Sequence, residues 1–234
     1  MSNAFCRIVS FVFLLAAGDM LMAADSTFDD AVKKLPASEK KIELFNGKDL
    51  AGWDGAKGYW TVDGDSIKGA NKEKVPSSTY LYTKENYRNY RLLMEVKQTR
   101  GTEYSTMHSA IATLGEKIKD AGDNEHGFRG PLVMFCQDWG IWDAHRRNRV
   151  VPGGEGNKAE RVGDWNLIEV LVKGERIRCA ANGKLVFDFT DKADMLQDSP
   201  IGLQLHSNDK PQEYRFRGLV LTKDPEDKLV SLAE

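Results

Sequence analysis

Arg176-Ile-Arg-Cys-Ala-Ala-Asn-Gly-Lys-Leu-Val-Phe-Asp-Phe189 is two strand-like runs joined by Asn182-Gly183. Both joining residues tolerate positive φ, which a two-residue type I′ turn requires, so the stretch reads as a β-hairpin. Immediately upstream, Ile168, Val170 and Val172 face one way while Glu169 and Lys173 face the other, the period-two pattern of a strand with one buried face. Further out, Tyr90-Arg-Leu-Leu-Met-Glu-Val-Lys-Gln-Thr99 puts Leu92, Met94 and Val96 on one side and Arg91, Glu95 and Lys97 on the other. Toward the C-terminus, Ile201, Leu203 and Leu205 point inward with Gln204 and His206 outward, and Tyr214 to Leu221 makes a last strand. No helix-period segment of any length alternates with these runs, which argues against βαβ units and a parallel sheet. Short strands separated by Gly and Asn turns imply an all-β fold, an antiparallel β-sandwich of the jelly-roll kind.

The chain has 234 residues, a size that one sandwich domain reaches. Lys and Arg number 33 against 35 Asp and Glu, a net charge of -2. That balance gives none of the basic field on which nucleic-acid binding relies. At the N-terminus, Arg7 precedes the apolar run Ile8 to Ala17, and Met22-Ala-Ala24 follows. This order is that of a secretory signal, and the run is too short for a membrane span. The reading divides the chain into a signal (1–24), a linker or short helix (25–41), the sandwich (42–222) and a tail (223–234). An exported protein with no membrane association after signal removal follows as an expectation. Export permits disulfides. Cys136 and Cys179, the cysteines left after signal removal, both sit in strand-like runs, where a free cysteine packs as a small core residue.

Residues 114–131 and 143–164 break the strand rhythm with Gly and charge, and read as long loops, the usual carriers of function on a rigid sheet. Within and beside them, Gln137, Asp138, Trp139, Trp142, Asp143 and His145 form the densest polar and aromatic cluster. Arg146-Arg-Asn-Arg149 is a short basic run, read either as a holder of an anionic sugar group or as a solvated loop.

An ordered set of motifs adds a resemblance. It comprises Phe45-Asn-Gly-Lys-Asp-Leu-Ala-Gly-Trp53, Tyr59-Trp-Thr-Val-Asp-Gly64, Tyr80-Leu-Tyr-Thr83, Tyr87-Arg-Asn-Tyr90 and Glu95. It continues with Trp165-Asn166, Ala181-Asn-Gly-Lys184, Ile201-Gly-Leu-Gln-Leu-His206 and Tyr214-Arg-Phe-Arg217. Together these resemble the 3-keto-disaccharide hydrolase family across residues 42–222. The resemblance implies a concanavalin-like jelly roll acting on glycosides oxidised at C3. The chain departs from the family pattern at His108-Ser-Ala-Ile111, where Asn-Ser-Gly-Ile is usual, and in Gly130 to Asp138, where Leu132 stands at the usual Glu.

A C3 ketone acidifies the hydrogen on C2, so a base near its working pH and a stabiliser for the enolate oxygen are needed. If their strands share a sheet, Glu95, Glu169, Gln204 and His206 line one surface; otherwise they are a solvated face with cross-strand pairs. The expected catalytic residues are Glu169, His206 and Asp138. The expected substrate-binding residues are Gln204, Trp139, Trp142, Asp143, His145, Arg146 and Glu95. Trp139 and Trp142 also read as core plugs, and His108 as a structural histidine. Asp138, Asp143, His145 and His206 are conceivable metal ligands, calcium being favoured over zinc because no zinc spacing occurs. The expected partner is an oligosaccharide or glycoside, met either by an enzyme or by a non-catalytic carbohydrate-binding module of the same fold.

Overall fold

The computed structural model describes residues 27–120, 124–192 and 196–233; the signal-like segment 1–24 lies outside them. In chain order the elements begin with α1 (Phe28–Lys33), β1 (Lys41–Glu43), β2 (Trp53–Gly55), β3 (Trp60–Asp63) and β4 (Ser66–Asn71). Next come β5 (Thr79–Tyr87), β6 (Tyr90–Gln98), β7 (Ser109–Ala112), β8 (Glu116–Asp120) and β9 (Asn124–Arg129). They continue with β10 (Pro131–Phe135), β11 (Gly140–Asp143), β12 (Asn148–Val151), α2 (Gly154–Ala159) and β13 (Asn166–Lys173). The last are β14 (Arg176–Ala181), β15 (Lys184–Thr190), β16 (Ser199–Leu205) and β17 (Gln212–Lys223).

These strands form two large antiparallel sheets. The back sheet has the order β15-β14-β13-β6-β17-β4-β3, with β1 also paired to β17. The front sheet has the order β12-β11-β10-β7-β16-β5-β2. The period-two patterns decide what lies between them. Leu92, Met94 and Val96 of β6 and Ile168, Val170 and Val172 of β13 meet Ile111 of β7, Val133 of β10 and Ile201, Leu203 and Leu205 of β16 in one core. Trp53 and Trp60, from the glycine-rich front motifs, are anchors in that same core. Burying such apolar rows is worth about 25 cal/mol per Å² removed from water, the main favourable term for a sandwich with few helices. The turn between β14 and β15 is the one foreseen, with Asn182 at φ 48° and Gly183 at φ 84°. Cys136 and Cys179 are buried and free.

Segment 114–131 is not a loop. It forms β8 and β9, paired antiparallel with Glu116 opposite Arg129 and Asp120 opposite Asn124. Segment 143–164 likewise contains β12 and the short α2.

The outer face of the back sheet is covered. Ala31 of α1 and Val230 pack on Leu93 and Leu167, while Leu229 packs on Leu171 and Ala180. Among these apolar contacts sits a buried charge cluster. The Arg91 guanidinium donates to Glu39 through Nε at 3.1 Å and Nη2 at 3.0 Å, and to Glu169 through Nη1. It also donates to the carbonyls of Lys228 at 2.6 Å and Glu226 at 3.2 Å. Glu169 in turn accepts from the backbone N–H of Val230 at 2.9 Å and Ser231 at 2.8 Å. Its side chain is 0% exposed, so this carboxylate ties the last residues to the sheet.

Candidate functional site

The expectation that Glu95, Glu169, Gln204 and His206 share one surface fails on sheet membership. β6 and β13 belong to the back sheet and β16 to the front sheet. Because the inward rows of both sheets face the common core, Glu95 and Glu169 end on one outer face of the sandwich and Gln204 and His206 on the other. Glu169 has its lone pairs taken by Arg91, Val230 and Ser231. Glu95 accepts from Arg217 Nε at 2.6 Å, and Arg217 stacks on the Trp165 ring at 4.0 Å.

The front face is where polar groups converge. In the β16–β7 ladder Gly202 pairs with Ala112 and Leu203 with Ile111; the same register carried to the strand ends brings His206 opposite His108. Their rings stand edge to face, with centroids 4.8 Å apart. His206 Nδ1 lies 2.7 Å from the Ser207 carbonyl. A carbonyl only accepts, so Nδ1 carries the proton and Nε2 keeps a lone pair. Burial holds the His206 imidazole below its ordinary pKa, opposed by that carbonyl. Burial and the neighbouring His206 press His108 down to about 4, against the pull of Asp138. Both rings are therefore neutral at physiological pH.

Beyond His108, its Nδ1 is 3.7 Å from Asp138 Oδ2. Asp138 pairs with Arg149 Nη2, and Arg149 Nη1 donates to the Trp139 carbonyl at 3.2 Å. One row further in, Gln204 Nε2 donates to the Tyr80 hydroxyl at 2.9 Å, and Gln204 Oε1 is buried without a partner. Burial raises the Tyr80 pKa, so the phenol stays protonated. Around them lie Tyr82, Ala110, Ala112, Phe128, Leu132 and Met134, with Trp142 partly buried against them.

The back sheet holds this row from behind. Gln212 Nε2 donates to the His206 carbonyl at 2.6 Å. Gln98 Nε2 donates to the Met107 carbonyl at 2.8 Å, and the Tyr214 hydroxyl donates to the same oxygen. Ser78 Oγ accepts from the Ser207 N–H at 3.0 Å. The strand ends bearing both histidines are thus fixed by Gln98, Gln212 and Tyr214, from strands central to the other sheet, and by Ser78 just before β5.

The remaining expected residues scatter. Trp139 is wholly inside the core against Phe135, with its Nε1 donating to Glu160 at 2.9 Å, so it stacks on no sugar. Asp143 is buried and accepts from the N–H groups of His145 at 2.8 Å and Arg146 at 3.0 Å, closing its own turn. Arg146 spans Asp143 and Asp191, and His145 is exposed beside it. Asp138, Asp143, His145 and His206 do not converge as a metal site, and among the described residues no three His, Cys, Asp or Glu side chains are grouped to hold a metal ion. Of the residues expected from sequence, His206, Gln204, Asp138 and Trp142 lie on the front face. His108 joins them although it reads as structural in sequence. Its signal was the His-Ser-Ala-Ile motif, which occupies the strand beside β16.

The architecture is that of the concanavalin-like jelly rolls, a class in which solved relatives are numerous. The chain belongs to the 3-keto-alpha-glucoside-1,2-lyase-like domain family, whose model matches residues 40–222. This membership ties the protein to carbohydrates. A candidate glycosyl hydrolase of Parabacteroides distasonis is similar with 20% identity and a TM-score of 0.52, over 78% of this chain and 93% of that one. Carbohydrate-binding module CBM66 from Bacillus subtilis aligns with 11% identity and a TM-score of 0.52, over 74% and 96%. The exoplasmic domain of VIP36, solved with Ca²⁺ and Man3GlcNAc, aligns with 7% identity and a TM-score of 0.57, over 81% and 92%. At these identities the likeness is one of fold. No curated protein matches the chain in sequence.

Proposed function

We propose that this protein cleaves glycosides oxidised at C3, with His206 as the base. Nε2 of His206 takes the C2 proton, the C2–H electron pair forms the enolate with the C3 carbonyl, and the enolate expels the C1 substituent. His206 Nε2 returns this proton to the leaving oxygen, and water added across the resulting C1–C2 double bond completes a net hydrolysis. The Tyr80 hydroxyl, which accepts from Gln204 and keeps its own proton to donate, is the stabiliser for the enolate oxygen, with the Asp138–Arg149 pair at the rim. The observation that carries this reading is the state of His206. It is neutral, its Nδ1 is held by the Ser207 carbonyl, and its Nε2 lone pair is uncommitted. A positioned base of this kind contributes about 10²–10⁴ in rate. Direct hydrolysis by two carboxylates is less well supported. It needs a facing carboxyl pair, whereas Leu132 leaves β10 without one on this face and Asp138 is engaged by Arg149.

Leu132 also favours a second reading, a carbohydrate-binding module that retains the face and has lost the chemistry. One experiment separates the two. Purified protein is incubated with a 3-keto-disaccharide and with its unoxidised parent. Sugar released from the ketone alone, and lost by about 10²-fold or more in His206→Gln, supports the base role. Binding without release from either sugar would overturn it in favour of the module. Residues 1–24 support an exported setting for this activity, which N-terminal sequencing of the mature protein tests: a start near residue 25 is expected, and an intact Met1 would refute export.

A further inference from the structure

A jelly-roll face that accommodates a polysaccharide along its length needs an open floor. Here the floor is closed from its second row of residues inward. Tyr80 and Tyr82 of β5, Ala110 and Ala112 of β7, and Leu132 and Met134 of β10 all point to the outer face of the front sheet, and all are buried.

What covers the floor is chiefly the β8–β9 pair. Phe128 of β9 lies on Tyr80 and Tyr82, with ring centroids 5.8 Å and 6.4 Å away. The Tyr82 hydroxyl donates to the Gly127 carbonyl at 2.7 Å. The pair is fastened to both flanks. Lys117 Nζ bonds Asp54 at 2.5 Å, Asn124 Nδ2 donates to the Ser78 carbonyl at 2.8 Å, and Gln197 Nε2 donates to the Gly115 carbonyl at 3.3 Å. At its base Gly115 and Gly130 are pressed together, so that a Cβ on Gly115 would meet the Arg129 carbonyl oxygen at 2.2 Å. This is a packed third layer, with an aromatic plug and polar ties on two sides.

The end row is different. The side chains of Asp138 and Arg149 are 38% and 34% exposed, and His108 and His206 are half-buried beside them. The reachable part of the face is a short rim at the strand ends, backed by the plug.

From this we infer that the site admits only the terminal ring of a saccharide, and that Phe128 is the residue that sets this limit. The inference rests on the carbohydrate reading of the front face but not on the base role of His206. A ring enters from the strand-end side, meets His206 and Arg149, and stops against Tyr80 and Phe128. A chain running through on both sides of the reacting ring has no path.

Ligand length tests this. The probes are maltose, maltotriose and maltotetraose, each oxidised at C3 of the non-reducing ring, and a maltotriose oxidised on its middle ring. Dissociation constants are measured by calorimetry and turnover by sugar release. Affinity should change by less than about twofold per ring beyond the second, because added rings find no protein surface. The middle-ring ketone should bind at least about tenfold more weakly than the terminal one. In Phe128→Ala the middle-ring ketone should recover, and in Tyr82→Phe, which keeps the packing and loses only the tie to Gly127, it should recover in part. Affinity that climbs about tenfold with each ring, or equal binding of terminal and middle ketones by the unaltered protein, would overturn the inference. Flat length dependence without turnover sinks the base role alone, turnover with climbing affinity sinks this inference alone, and no binding to any probe sinks both.

Discussion

The two outer faces of the sandwich bury polar groups in opposite ways. On the back, the Arg91 guanidinium and the Glu169 carboxylate form a buried ion pair whose own donors and acceptors are answered by each other, by Glu39, and by the backbone of residues 226–231. On the front, the buried groups are neutral and unfinished. His206 keeps a free Nε2, and Gln204 keeps an orphan Oε1. A buried acceptor without a partner costs about 1–3 kcal/mol, which a sugar hydroxyl donating to Gln204 would offset. A carboxylate on the polar face of a strand is therefore poor evidence of chemistry; the partners it has already satisfied decide its role.

The largest effect should come from the back. Arg91→Ala leaves Glu39 and Glu169 buried and uncompensated, and should destabilise the fold by about 3–5 kcal/mol in urea denaturation. A loss under about 1 kcal/mol would mean that the cluster is no more than an exposed pair, and the contrast between the faces would collapse.

A second, smaller effect should come from pH and belongs to the front. His108 titrates near 4 when folded and about 6.5 when unfolded. The unfolded chain thus binds the proton more readily between these values, so stability is complete above about pH 6.5 and falls on acidification toward pH 4. A span of this width amounts to roughly 3 kcal/mol for one group. His108→Asn should flatten the urea midpoint over that window, and an unchanged slope would show that this imidazole does not titrate as its burial implies.

Smallest of all, Glu95→Gln keeps the shape of the side chain and removes only its charge beside Arg217, which also pairs with Asp65. It should shift stability by less than about 1 kcal/mol and leave sugar release unaltered. A loss of turnover there would move the working surface to the back sheet.

The strands that were legible were so because alternation is a local signal: β6, β13, β16, β17 and the β14–β15 hairpin follow directly from which residues are apolar. Alternation says which side of a strand faces inward, but not which of two sheets the strand joins. That is why Glu169 and His206, each outward on its own strand, seemed to share a surface and stand on opposite ones. β8 and β9 escaped notice because Glu116-Lys-Ile-Lys-Asp120 has charges where a buried face would show apolar residues; Phe128 supplies nearly all the burial of that pair. Trp139 misled because a tryptophan in a polar cluster suits a sugar platform in sequence, while the backbone at Cys136 and Gln137, both at positive φ, turns its ring into the core. Leu132, where the resemblance implies a Glu, has its side chain on the front face.

The place of β17 has a consequence for how the chain comes together. It is the last strand in the sequence, yet it lies between β6 and β4, and β16 just before it lies between β7 and β5. Until these two strands arrive, each sheet is split down its middle with open edges on both sides, and Gln212 and Tyr214 are not yet behind the histidines. A ribosome must therefore release the chain through Lys223 before either half can close, and the order of synthesis runs against the order in which the sheets could grow. Assembly should be slow and all-or-none, with pairing across long sequence separations setting the pace, and the newly made protein should depend on being kept from aggregation until its final strands are free to enter.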